Sequence, residues 1–237
     1  MKQFVILMGL ILGLSINPAL ASTSTNQYAS KQELTAFNKL QQHIFEAERK
    51  TGTDAELLTA LLSIESTMGT DTHNPHSKVR GVMQYTQRQW RNDVKRFHKQ
   101  LGLSANVSAT NPRAAILVTA AALADNKAYL ERKTNRTITS GDLYMAHFVG
   151  LYGAEKILKG KSSASVGRYV TLHKGNGKRY HVKGKVATVA QFRAKMNNLV
   201  KGEKSKYSTA LNQVRLDNVM AQLARNSYHD QVVAINY

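Results

Sequence analysis

The chain has 237 residues, of which 42% are hydrophobic, so it can build a sizeable core and lacks the composition of a disordered protein. It contains no cysteine, which excludes disulfide bonds and a lipid anchor on a cysteine. Its formal net charge of +18 indicates an anionic partner or surface.

The first 21 residues have the pattern of a secretory signal peptide. Lys2 precedes an apolar run from Phe4 to Ile16, and Ala19-Leu20-Ala21 fits the small-x-small cleavage pattern. The run is too short for a comfortable membrane span. We therefore expect cleavage after Ala21 and a periplasmic or secreted protein, with an uncleaved N-terminal anchor as the alternative.

Residues 22–32 are predicted to form a flexible leader, because their N-terminal part is rich in Ser, Thr and Asn. A first helix is then predicted to stop at Gly52, and Thr53 with Glu56 has the spacing of a capping box for a second helix. The apolar residues of the first helix follow helical spacing: Leu34, Phe37, Leu40, Ile44 and Phe45.

The second predicted helix places a carboxylate on its apolar side. Counting i+3, i+4 and i+7 from Leu58 gives Leu61, Leu62 and Glu65 on one stripe. Burial among leucines would raise the pKa of Glu65, so that it could donate a proton near neutral pH. Glycoside cleavage requires such an acid at the leaving oxygen. A partly exposed Glu paired with a nearby Lys or Arg is the alternative explanation.

Further helix starts are predicted along the chain after a polar loop at residues 71–80. Ala114 to Leu130 is apolar around most of its circumference and is predicted to be a central, buried helix. A short helix is expected at Ala154 to Leu158. The predicted N-terminal caps are Thr86 with Gln89, Asn111 before Pro112, and Thr139 with Asp142.

Residues 161–237 are predicted to form a small basic extension with a β-hairpin and helices. The hairpin turn is placed at Gly175-Asn176-Gly177, and Thr188 with Gln191 is predicted to cap a helix. A separate amphipathic helix is expected after Lys204. The basic residues of this region are an anion-docking surface or, equally, a solvated surface that serves solubility.

Three motifs in order are similar to those of the lytic transglycosylase family of the soluble-transglycosylase type. They are Glu65-Ser66, the run GVMQYT from Gly81 to Thr86, and Ala146-His147-Phe148-Val149-Gly150. The third motif resembles a variant of phage-type members, in which Ala-His-Phe replaces the usual Ala-Tyr-Asn. The resemblance covers roughly Leu57 to Leu158 and extends more weakly to about Leu199.

This resemblance implies a mainly α, lysozyme-like helical domain with a substrate groove, over residues 33–160. It implies that Glu65 is the catalytic acid and then base, and that His147 takes the place of the tyrosine that bonds the catalytic Glu. Ser66 would contact substrate or hold the helix end. Thr86 would support the groove wall or merely cap a helix. Phe148 would stack on substrate or, alternatively, pack in the core. The substrate-binding candidates are Ser66, Met83, Gln84, Tyr85, Thr86, Tyr144, His147 and Phe148.

The function implied is cleavage of the β-1,4 bond of peptidoglycan glycan strands with formation of an anhydro sugar and no cofactor. The alternatives are a muramidase, a catalytically silent cell-wall-binding module, and a basic DNA- or membrane-binding protein. A muramidase needs a second carboxylate, and Asp71 is the first candidate to test. His73 and His76 lack a third ligand, so no metal site is predicted. The expected partners are glycan strands and an anionic cell-wall surface, rather than nucleic acid. A secretion or conjugation apparatus is a further candidate partner.

Overall fold

The computed structural model describes residues 28–72, 79–172 and 177–235, with side chains through residue 226. The predicted signal peptide and most of the predicted leader lie outside these residues, as do His73 and His76. The described part of the chain is mainly helical, which confirms the predicted fold class. No helix in this part combines the length and apolar character needed to cross a membrane.

Eight α-helices and two small hairpins follow one another along the described chain. The N-terminal two-thirds contains α1 (Lys31–Thr51), α2 (Ala55–Ser66), β1 (Val79–Arg80), β2 (Tyr85–Thr86), α3 (Gln87–Leu101), α4 (Pro112–Thr134), α5 (Ser140–Val149) and α6 (Leu151–Lys159). A 3-10 turn at Val166–Arg168 is followed by α7 (Gly177–Tyr180), β3 (His181–Val182), β4 (Lys185–Val186) and α8 (Val189–Ile235). Both hairpins are antiparallel.

Local capping sets most helix starts. Thr86 caps α3, Asn111 caps α4 with Pro112 in its first turn, and Thr139 forms a capping box with Asp142, as predicted. Thr188 and Gln191 likewise exchange side-chain-to-backbone hydrogen bonds at the start of α8. Helix α1 begins at Lys31, two residues before the predicted start of the domain.

The predicted capping box at Thr53 is wrong. Asp54 caps α2, because its carboxylate accepts from the Glu56 N–H at 2.8 Å. The Thr53 hydroxyl instead donates to the Ala120 carbonyl, 67 residues away on α4. A long-range partner thus takes the side chain that sequence spacing had assigned to a local bond.

Helix α4 is the centre of the core, as its apolar circumference predicted. It packs against α1, α3, α5 and α6, while α2 packs against α1 and α8. Its buried apolar residues are Ala114, Ala115, Ile116, Leu117, Val118, Ala120, Ala121, Leu123 and Leu130.

The C-terminal region differs from the prediction in two ways. One continuous helix, α8, replaces the two predicted helices, because its buried stripe continues past Lys204 as Phe192, Met196, Val200, Tyr207 and Leu211. The hairpin is not centred on Gly175-Asn176-Gly177, since Gly177 begins α7; Gly175 and Asn176 lie outside the described residues. Its turn is Lys183-Gly184, with φ of 49° and 76°, values typical of a type I′ hairpin turn.

Candidate active site

Glu65 lies in the last turn of α2, on the apolar stripe that also carries Leu58, Leu61 and Leu62, and all four residues are buried. Its side chain is only 1% exposed. The predicted burial of this carboxyl is therefore confirmed. Helix α2 is itself held in place by packing against α1 and α8.

His147 on α5 faces this carboxyl. Its Nε2 lies 3.7 Å from Glu65 Oε1, which is longer than a hydrogen bond, and its side chain is 7% exposed. Glu65 Oε2 and His147 Nε2 have no hydrogen-bond partner among the described residues. An unpaired buried polar atom costs free energy, and a catalytic role is one reason for which a protein retains such an atom.

Burial sets the protonation of this pair. Desolvation raises the pKa of Glu65 to about 7, although the positive charge of Arg179 partly offsets that rise. Desolvation lowers the pKa of His147 to about 4. Near neutral pH the imidazole is therefore uncharged, and a substantial fraction of Glu65 retains its proton.

Arg179 and Tyr144 form a second layer behind the pair. The Arg179 guanidinium donates to the Tyr144 hydroxyl and lies 5.6 Å from the centre of that ring. Burial, and then the charge of Glu65, raise the pKa of Tyr144. Tyr144 is fully buried, so it lies behind the site and not on an open groove wall.

The β1–β2 turn closes the other side of the α2 C-terminus. Ser66 Oγ donates to the Val82 carbonyl at 2.7 Å and accepts from the Gly69 N–H at 2.9 Å, so it ties the helix end to the turn. Gln84 has φ of 49°, and its Nε2 donates to the Gly81 carbonyl at 2.9 Å. Met83 is fully buried. Through these hydrogen bonds, Ser66 and Gln84 stabilise the turn and the end of α2, a role that does not depend on contact with a sugar.

The backbone conformation at position 81 requires glycine. Its φ is 74°, and an added Cβ would lie 2.1 Å from the Ala109 carbonyl oxygen. The turn and the loop at residues 107–110 therefore touch through their backbones.

A polar cleft of about 330 Å³ runs beside His147, between α3, α4 and α5. Tyr85, Thr86 and His147 line it, whereas the Glu65 carboxyl does not. Phe148 also borders the cleft, but its ring is 1% exposed and packs with Tyr144, Tyr180 and Phe192. This arrangement favours the core role of Phe148 over stacking on substrate.

Asp93 is a cleft residue that the sequence did not reveal. Burial raises its pKa to about 6, and its carboxyl interacts with the Tyr85 hydroxyl. Thr119 Oγ1 donates to the same hydroxyl at 3.2 Å. Asp93 is three residues after Trp90 and four before Phe97, so helical spacing places it beside the apolar stripe of α3, a signal like that of Glu65 which the sequence analysis did not use.

Asp71, the second carboxylate considered in the sequence analysis, lies elsewhere, and two further acids are held in ion pairs. Asp71 is exposed, and its backbone N–H donates to the Ser66 carbonyl at 2.9 Å. Asp142 pairs with Arg193, and Asp125 pairs with Arg96. Asp93 therefore replaces Asp71 as the first carboxylate to consider beside Glu65.

Residues 42–144 match the family model described as "Transglycosylase SLT domain". The match begins within α1 and ends on α5, so it contains Glu65, Ser66 and the turn from Gly81 to Thr86, and stops three residues before His147. A domain of this kind belongs to a transglycosylase-type enzyme that acts on peptidoglycan. The part of the chain that carries Glu65 thus belongs to the lytic transglycosylase, lysozyme-like family.

Proposed function

We propose that the protein is a lytic transglycosylase that cleaves the β-1,4 bond between N-acetylmuramic acid and N-acetylglucosamine. The observation that carries this proposal is Glu65, a buried carboxyl at the end of α2 with a pKa near 7 and an unpartnered oxygen. A group with this pKa can give a proton at neutral pH and take one back. We also propose that the enzyme acts in the periplasm or outside the cell, on the pattern of residues 1–21.

In the proposed first step, protonated Glu65 donates its proton to the glycosidic oxygen as the bond to C1 breaks. The N-acetyl group of the muramic sugar supplies the internal nucleophile, because no carboxylate within the described residues contacts Glu65. The Glu65 carboxyl is closed off from solvent, so a bound glycan has to open a path to it beside His147.

In the second step, the Glu65 carboxylate takes the proton of the C6 hydroxyl while that oxygen attacks C1. The ring closes to the 1,6-anhydro sugar, and the carboxyl returns to its protonated form. His147 remains uncharged throughout, since its pKa is about 4. Its role is to hold the wall beside Glu65 and to offer a ring nitrogen to the substrate.

The products distinguish this mechanism from hydrolysis. We expect muropeptides released from purified sacculi to be one water lighter than those of a lysozyme digest and to resist borohydride reduction. Mass spectrometry of digests in heavy-oxygen water provides the measurement, and no label should enter at C1. Reducible, labelled products would show a muramidase instead.

The muramidase remains the second candidate because Asp93 borders the cleft. An inverting hydrolase needs two carboxyls about 6.5–9.5 Å apart, with one of them activating water. Asp93→Asn would then abolish activity. In the transglycosylase, where Asp93 only positions Tyr85, the variant should still yield anhydro products.

The pH profile tests the acid role of Glu65. Because the proton donor is lost as Glu65 ionises, we expect kcat/KM to fall about tenfold per pH unit above pH 7. Arg179→Gln removes the charge that lowers the pKa of Glu65, so its alkaline limb should move to higher pH. Initial rates on sacculi between pH 5 and pH 9 measure both. A rate that still rises beyond pH 8 in the unmodified enzyme would contradict the assignment.

A further inference from the structure

A second cavity adjoins the cleft along the same wall. It has a volume of about 750 Å³ and lies between β2, the first turns of α3 and the loop at residues 107–110. Tyr85, Thr86 and Arg88 border both cavities. A branched ligand lying in the cleft can therefore place a side branch in the second cavity, which we call the arginine cavity.

The charge of the arginine cavity is of one sign. Arg80, Arg88 and Arg91 line it, and none of its lining residues in the described part of the chain is acidic. Arg88 and Arg91 are exposed and form no ion pair within the described residues. By contrast, four arginines elsewhere in the described part of the chain form ion pairs: Arg96, Arg113, Arg193 and Arg215.

Helix stability does not explain these arginines. Arg88 is in the first turn of α3, where the helix dipole favours acidic residues, and that turn contains none. The first turns of α1 and α5 carry Glu33 and Asp142. Arg88 and Arg91 also stand three residues apart, on one face of the helix, where like charges repel.

The wall of the arginine cavity is preformed. The Trp90 indole N–H donates to the Val107 carbonyl at 2.8 Å, which fixes the loop against α3. The Ser108 and Thr110 hydroxyls, which bond to each other at 2.8 Å, add polar groups beside the guanidinium groups. An anionic ligand would thus meet a preformed wall, and binding would need to order only the exposed arginine side chains.

We propose that the arginine cavity binds carboxylates of the peptide stem that branches from the muramic sugar, so that the preferred substrate is peptide-bearing glycan. This inference rests on the proposed function. The stem carries free carboxylates. The sugars of a peptide-bearing strand are uncharged, because the lactyl carboxyl of the muramic sugar is amide-linked to the stem, so only the stem matches these cations. Guanidinium groups bind carboxylates with two parallel hydrogen bonds, which makes arginine the suited residue.

The test compares two substrates prepared from the same wall: intact sacculi, and sacculi whose stem carboxylates have been converted to methylamides, which leaves the glycan strand unchanged. We expect the unmodified enzyme to prefer the first in kcat/KM, and the Arg88→Gln/Arg91→Gln variant to lose roughly tenfold of that preference. The matched control is Arg132→Gln/Arg136→Gln, which removes the same charge. At 1.5 Å per residue, Arg132 lies about 30 Å from the start of α4, which follows the cavity loop at residues 107–110. The substrate preference of this control variant should equal that of the unmodified enzyme.

Equilibrium binding separates failure of this inference from failure of the proposed function. In the Glu65→Gln background, a disaccharide with its peptide stem should bind roughly tenfold more weakly once Arg88 and Arg91 are replaced. Equal affinities, or an equal loss in the control, would overturn the inference even if cleavage gives anhydro products. If neither substrate is cleaved but this stem-dependent binding is present, the proposed function is wrong, whereas the binding of stem carboxylates in the arginine cavity is supported.

Discussion

Glu65→Gln should lose at least about 100-fold of the rate of wall cleavage. General acid catalysis contributes roughly 10²–10⁴, and the amide has no proton that it can transfer. The side chain keeps its size and polarity, so the stripe of α2 remains packed. Release of soluble muropeptides from sacculi at pH 6 provides the measurement.

The same variant should be more stable than the unmodified protein at alkaline pH. A pKa raised from 4.5 to about 7 means that the folded state loses stability as pH rises from 4.5 through 7. One pKa unit corresponds to about 1.4 kcal/mol, so the cost reaches about 3 kcal/mol above pH 7. Below pH 4.5 the carboxyl is protonated in both states, and the two proteins should unfold alike.

Urea unfolding at pH 4 and pH 8 measures this difference. Glu131→Gln, which removes a half-exposed carboxyl from the last turn of α4, serves as the control and should retain activity and show no such gain. Full activity in Glu65→Gln would refute the catalytic assignment, and Asp93 would then be the first acid to test. An unchanged stability at pH 8 would instead refute the raised pKa.

Arg193→Ala should cost about 3 kcal/mol or more of unfolding free energy. Arg193 Nε and Nη2 each donate to Asp142 at 3.0 Å, and the Asp142 side chain is 1% exposed. Removing the arginine leaves a buried carboxylate without its cation, a change that typically costs about 3–5 kcal/mol. The Thr139 hydroxyl, at 2.8 Å, can compensate only in part.

The control for this prediction is Arg96→Ala, which breaks a pair with Asp125 whose side chains are 50% and 47% exposed. Exposed pairs contribute about 0–1 kcal/mol, so this loss should be small. Urea unfolding of both variants at pH 7 gives the comparison. Equal losses would mean that the Asp142 site is open to water when the arginine is absent.

Features that depend on neighbouring residues were predictable from the sequence. The stripe that buries Glu65 follows from i+3 and i+4 spacing, and the caps at Thr86, Asn111 and Thr139 follow from local hydrogen bonds. Thr53 was misread because its partner, Ala120, belongs to another helix.

Features that depend on the fold were not predictable in this way. Arg179 is 114 residues from Glu65 along the chain, and in sequence it is one of many basic residues. Asp93 becomes a cleft residue only because α3 and α5 face the same space. The packing of α8 against both α2 and α5 also depends on the fold, although the helical spacing of its stripe from Phe192 to Leu211 already indicates one continuous helix.

The position of α8 makes activity depend on a segment far from the reactive residues along the chain. The helices that carry Glu65 and His147 both pack against α8, whose last well-buried residue is Leu211. A chain cut after Lys159 keeps both reactive residues but loses the helix that braces them. Proteolysis between α6 and α8 should therefore inactivate the enzyme, although residues 42–144, which match the family model, remain intact.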